Sequence, residues 1–180
     1  HYGRSNPVYY RVDTLPEVRE TGSNNDAVHA QPVTLPVIVN GRMEAGGDVD
    51  VFRINGSAGD RIVLEIDARR LQSSLDSLLR VTDEAGDVIA WNDDHMEKHG
   101  HLHLGRGLLT HHADSYLAVD LARNGTYYVH VADTRKHGGA AYGYRLRISP
   151  PRPDFNVKVT PPSLVIRTGL AMPVTAHADR

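Results

Sequence analysis

Cysteine is absent from the 180 residues. That excludes disulfides, zinc–thiolate sites, iron–sulfur clusters and cysteine nucleophiles. Aromatic residues are scarce, at 6% with a single Trp, and the aromatic-rich cleft usual in a glycoside hydrolase is missing. No apolar run approaches the roughly 18 residues that a spanning helix needs. Neither sign of charge dominates, since 20 basic and 22 acidic residues leave a net charge of −2. The basic residues are scattered, so neither a nucleic-acid face nor a polybasic membrane patch is expected. The chain starts without Met and without a signal peptide, and it reads as a piece of something longer.

What is present is a succession of short apolar or alternating runs. Strands are expected over 35–43, 48–54, 61–67, 77–83, 87–92, 115–121, 125–133 and 142–149. Turn signals separate them: "AGG" at 45–47, "GSAGD" at 56–60, "DEAGD" at 83–87 and "RNG" at 123–125. The stretch "TDEAGDV" reads as a hairpin between 77–83 and 87–92. Only 68–76 could hold a helical turn. The spacing predicts an all-β fold, a jelly-roll-like β-sandwich of about eight strands with flanking β fragments. The longest irregular stretch is expected at 93–114, and loops of that length are usually functional or mobile.

The ends read differently from the middle. "SPPRPDF" (149–155) looks like a linker, because proline stiffens the chain and blocks strand pairing. After it, 155–169 reads as two strands with a turn at Pro161-Pro162, the start of a following immunoglobulin-like domain. At the other end "VYYRVDTLPE" (8–17) echoes "YGYRLRISPP" (142–151). The echo makes 1–16 the last strand of a preceding similar module, 17–149 the main domain and 150–180 linker plus following domain.

The block "GDVDVFRINGSAGDRIVLEIDARRLQSSLDSLLRVTDEAGDVIAWNDD", followed by "DSYLAVDLARNGTYYVHVAD" and "GYRLRI", resembles the bacterial pre-peptidase C-terminal domain. It is similar to the collagen-binding domain of bacterial collagenases. The resemblance covers about 17–149 and rests on the ordered set "DVDVF", "LDS", "NDD", "DS", "GTYYV", "YRL". It implies an eight-stranded sandwich attached to secreted proteases and other exported proteins. Relatives of the collagenase type bind calcium through a Glu-x-Glu-x-Asn-Asp/Asn linker and aspartates before the second strand. Here "ETGSNND" places Glu20, Asn24 and Asn25 at matching positions, with Gly22 where the second glutamate would stand. "GGDVDVF" supplies Asp48 and Asp50.

Calcium takes six to eight hard oxygen ligands, which Asp- and Asn-rich loops supply. Two groups qualify: Glu20, Asn24, Asn25, Asp48 and Asp50, and Asn92, Asp93, Asp94 and Asp114. Either group could equally cap turns, since Asp and Asn side chains bind nearby backbone amides. His95, His99, His101, His103, His111 and His112 are candidates for a transition metal. Their spacing matches neither HExxH nor a zinc finger, and a solvated polar loop accounts for them better. His112, Asp114 and Ser115 make a poor triad, because neighbours on one strand point to alternate faces, and no GxSxG elbow is present. Trp91 reads as a core or rim residue, with sugar stacking as the alternative.

These features predict a non-catalytic accessory module of a secreted or cell-envelope bacterial protein. It would act as spacer, attachment or binding domain with calcium as a structural ion. Its expected partners are other domains of the same parent chain and an extracellular protein or polysaccharide. No nucleic acid and no membrane insertion are expected. A carbohydrate- or protein-binding module using Trp91 and the 93–114 loop is the alternative. A metal-dependent hydrolase built on the histidines ranks third.

Overall fold

The computed structural model describes residues 8–99, 108–153, 156–161 and 164–179. They divide into two compact units, the larger holding 8–97 and 110–151. Its strands are β1 (Glu17–Arg19), β2 (Gln31–Pro32), β3 (Val37–Arg42), β4 (Val49–Gly56), β5 (Arg61–Asp67), β6 (Ser77–Asp83) and β7 (Val88–Asn92). Beyond them come β8 (His95–His99), β9 (Leu108–His112), β10 (Tyr116–Asp120), β11 (Gly125–Asp133) and β12 (Gly143–Ser149). A 3₁₀ turn at Arg69–Leu71 occupies the stretch that could hold helix, and no α-helix occurs among the described residues.

Two five-stranded sheets run β1-β3-β12-β5-β10 and β2-β4-β11-β6-β7. Without the short edge strands β1 and β2, eight strands remain, all paired antiparallel. Counted one to eight along the chain, their orders are 1-8-3-6 and 2-7-4-5. Two antiparallel four-stranded sheets interleaved in this way form a jelly roll. All eight expected strands are present within a residue or two of their expected bounds. β1 and β2 add parallel edges to β3 and β4, which makes both sheets mixed.

Alternation decides which face each strand buries. In β11 the residues Tyr127, Val129 and Val131 are buried and those between them are not. They pack with Phe52, Ile54, Leu79 and Val81 of the same sheet against Val39, Leu64, Ile66, Leu146 and Ile148 of the other. Each such side chain contributes about 1.5–3 kcal/mol on leaving water. Two tyrosines fasten this core. Tyr127 Oη donates to the Arg123 carbonyl (2.7 Å), pinning the entry to β11. Tyr144 lies over Gly41, where an added Cβ would come within 2.3 Å of its hydroxyl oxygen, and its hydroxyl reaches across to Asp50 on the second sheet.

Three expectations change. The region 93–114 is not wholly irregular: β8 and β9 pair with each other, and the intervening 100–107 lie outside the described residues. In the smaller unit β13 (Asn156–Thr160) pairs antiparallel with β14 (Thr175–Asp179). The second strand after the linker therefore comes later than the 155–169 stretch expected to hold both. Residues 8–16 form no strand. Arg11 instead pairs with Asp67 (2.8 Å) and Glu65 (3.1 Å), and Asp13 with Arg147 (3.1 Å). These contacts strap the segment along the outward face of the first sheet.

Candidate metal centre

The register brings the end of β3, the start of β4, the end of β11 and the start of β12 to one end of the sandwich. The end of β5, the start of β6, the end of β7 and the start of β10 reach the same end. Both oxygen-rich groups named from the sequence therefore sit at that end, one beside the β3–β4 turn and the other beside the β7 and β10 ends.

The first group centres on Asp50, which is 1% exposed. Its Oδ2 accepts the Tyr144 hydroxyl at 2.6 Å. Burial pushes the Asp50 carboxyl up to about 7; the Tyr144 bond opposes this, and the negative charges of Glu20, Asp48 and Glu44 add to it. Asn24 is fully buried. Its carbonyl accepts the Val51 N–H (2.7 Å) and its amide donates to the Val51 carbonyl (3.3 Å). Its side-chain oxygen Oδ1 has no hydrogen-bond partner. A buried acceptor left unsatisfied costs about 1–3 kcal/mol and calls for an explanation.

The other members are held by backbone amides. Asp48 Oδ2 accepts the Glu44 N–H (2.6 Å) and Oδ1 the Val49 N–H (3.0 Å). Glu20 accepts the Gly22 and Arg42 N–H groups, and Asn25 is exposed. Gly22 has φ +71, a conformation that a side chain strains, which accounts for glycine at this step of the linker. Glu44 was missed from sequence. It belongs to the β3–β4 turn rather than to either acidic motif, and only the fold sets its charge against Asp50.

The second group is wired differently. Asp114 is fully buried and accepts the Arg69 N–H (2.7 Å), the Arg70 N–H (3.1 Å) and Arg70 Nε (2.8 Å). It caps the 3₁₀ turn that Ala68, with no side-chain acceptor, leaves open. Asn92 Oδ1 accepts the Tyr116 N–H (3.0 Å), and its amide donates to the Asp94 carbonyl (2.9 Å). Asp93 accepts its neighbour's N–H. The Ser115 N–H donates to Ser77 Oγ (2.9 Å), and Ser115 Oγ lies 2.6 Å from the Ser77 carbonyl and 3.1 Å from that of Asp93. The motifs "LDS", "NDD" and "DS" thus meet in a clasp that joins β6, β7 and β10. Ser115 has no base beside it among these partners.

Among the described residues no three Asp, Glu, His or Cys side chains gather tightly enough to hold an ion by themselves. The donors of the first group nonetheless suit calcium. They are all oxygen, one buried acceptor is unsatisfied, and burial, helped by three further carboxylates, raises Asp50. His95 packs its ring against Tyr116 at 4.8 Å. The side chains of His99, His101, His103, His111 and His112 lie outside the described residues. Trp91 is 61% exposed on edge strand β7, not in the core.

Two mixed sheets closed over one apolar core define a β-sandwich domain. Residues 48–133, just under half of the chain, match the family model of the bacterial pre-peptidase C-terminal domain, a family of non-catalytic accessory domains found in larger proteins such as secreted peptidases. A probable subtilase-type serine protease of Deinococcus radiodurans is 34% identical over 86 residues, which is 47% of this chain and 10% of the relative. The chain therefore spans a small part of that relative's length. Among solved structures, the pre-peptidase C-terminal domain of Bacillus anthracis collagenase is 14% identical with a TM-score of 0.43, covering 76% of this chain and 100% of its own. The PliG inhibitor of g-type lysozyme from Aeromonas hydrophila is 18% identical with a TM-score of 0.41, covering 67% and 97%. No described helix is long and apolar enough to cross a membrane.

Proposed function

We propose that this sandwich is a spacer or attachment module of an exported bacterial multidomain protein, and that calcium fixes its β3–β4 end. The single observation that carries the calcium reading is the buried, unsatisfied Asn24 Oδ1 in the same group as a carboxyl that burial, and then its acidic neighbours, hold back from ionising. Asp50, Asn24, Asp48 and Glu20 would hold the ion, with Glu44 adding negative charge. Calcium would supply positive charge where carboxylates now oppose one another. It would tie the 20–26 linker to the start of β4, so that binding energy adds directly to folding stability. The second group has no comparable vacancy in its bonding, because Asp114 and Asn92 are already spent on Arg69, Arg70, Tyr116 and Asp94.

Thermal unfolding of the chain in calcium and in chelator tests this reading. At calcium about 100-fold above Kd, stabilisation of roughly 2.7 kcal/mol is expected, a rise of several degrees. An unchanged unfolding temperature would overturn it. The attachment role rests on the match of residues 48–133 to the family model, and it is tested by deleting the module from the parent protein. Peptidase-domain turnover should survive while localisation or substrate engagement changes.

A further inference from the structure

The outward faces of the two sheets carry their arginines differently. On the first sheet Arg145 pairs with Glu17 (2.8 Å) and Arg147 with Asp13 (3.1 Å), beneath the strap that Arg11 fastens. On the second sheet Arg53 of β4 and Arg80 of β6 are exposed, and among the described residues neither has a carboxylate partner. The register sets them in two adjacent outward rows. Trp91, Arg80 and His130 lie side by side across β7, β6 and β11. Val88, Thr82, Tyr128 and Arg53 form the next row. Trp91 is 61% and Val88 53% exposed, whereas Thr82 is buried and bonds the His130 ring (3.0 Å). Strand spacing and rise place Arg80 and Arg53 roughly 12 Å apart, with Trp91 one strand from Arg80.

We propose that this face binds a polysaccharide bearing carboxylates, a uronate polymer, with Trp91 stacked on a sugar ring and Arg80 and Arg53 paired with acid groups. A flat exposed indole offers an apolar surface with a polar edge, which suits the face of a pyranose ring. Guanidinium forks match carboxylate geometry in two parallel hydrogen bonds. Leaving two guanidinium groups without counter-charge on a chain of net charge −2, where most other strand arginines are paired, is the complementarity an anionic ligand needs. A polymer of sugars fits better than a folded protein. The open rows span four strands and a few residues, on the order of 200 Å², against about 800 Å² per partner in a standard protein interface. The site does not depend on the calcium reading, since no residue is shared.

The test is affinity electrophoresis and calorimetry of the whole chain with polygalacturonate, neutral dextran and poly-glutamate. Polygalacturonate should retard the protein, dextran should not, and added salt should weaken the effect by screening. Trp91→Ala, and Arg53→Gln with Arg80→Gln together, should each weaken binding by roughly tenfold or more. Arg61→Gln, remote from the face and paired with Asp120, should leave it unchanged. Unaltered unfolding temperatures certify that the variants fold. No retardation by polygalacturonate overturns the proposal. So does binding that survives the double arginine change, or equal affinity for poly-glutamate, which would make the ligand an acidic polypeptide.

Discussion

Two acidic groups share one end of this sandwich, and they have opposite electrostatic characters. Around Asp114 every charge is answered: two backbone N–H groups and the Arg70 side chain converge on a fully buried carboxylate. Arg70 goes on to Glu65 (3.0 Å) and Asp67 (3.0 Å), which also hold Arg11. Around Asp50 one acceptor is unsatisfied, the nearby Arg42 is paired with Glu44 (2.6 Å), and among the described residues Asp50 accepts only from the neutral Tyr144 hydroxyl. Counting acids does not separate the two. A cation on the buried carboxylate does: Arg70 bonds Asp114, whereas no cationic side chain bonds Asp50 among the described residues.

The largest effect should come from removing the satisfied carboxylate. Asp114→Ala uncaps the 3₁₀ turn, leaves the Arg69 and Arg70 N–H groups without their acceptor and takes one of three carboxylates from Arg70, and a loss of about 3–5 kcal/mol is expected. Urea unfolding should report the same loss in calcium and in chelator. A loss that calcium abolishes would assign Asp114 to the metal centre instead.

Asp50→Asn should do the reverse. The Asp50 carboxyl ordinarily ionises near 3.8 and in the metal-free fold near 7. Its contribution is therefore full below about pH 4 and lost as pH rises through 7. His130 runs the other way. Burial, then the Arg80 charge, lowers it from 6.5 to about 4, so its contribution is present above 6.5 and lost as pH falls through 4. The two oppose each other in the wild type, and the Asn variant separates them. In chelator the variant should gain on wild type from pH 4 to 7, by about 4 kcal/mol at most by pH 8. A constant difference across that range would refute the burial of an ionisable acid at this position.

Tyr144→Phe removes the one donor to Asp50 and should cost about 1–3 kcal/mol in chelator. Denaturant curves showing no loss would place the hydroxyl outside the network. The smallest effect belongs to Asp93→Ala. This exposed side chain accepts only the next residue's amide, so stability should move by no more than about 0.5 kcal/mol.

The eight strands of the jelly roll were legible because each carries an apolar run bounded by turn residues. β1 and β2 were not, since "EVR" and "QP" have no pattern and exist only as parallel additions to β3 and β4. The pairing of β8 with β9 was hidden by its polar, His-rich composition, which mimics a loop. Of the proposed calcium group, Glu20, Asn24, Asp48 and Asp50 were named through the family pattern, but Glu44 required the β3–β4 turn to be closed. The sequence also favoured "WNDD" and Asp114 as ion ligands. Their bonds run to Arg69 and Arg70, 44 to 45 residues away along the chain, and to Tyr116, pairings that no local motif encodes. Trp91 misled for a related reason, because a lone aromatic at a strand end signals packing only when its strand turns that side inward.

The central claim is that calcium belongs to the group of Asp50, whose buried carboxyl accepts from no cationic side chain among the described residues. Calorimetric titration of calcium into the wild type, Asp50→Asn and Asp93→Ala tests it most directly. The expected result is binding to the wild type and Asp93→Ala with equal affinity, and loss of binding in Asp50→Asn while that variant remains folded. Binding that persists in Asp50→Asn and disappears in Asp93→Ala, or no binding to the wild type, would contradict it.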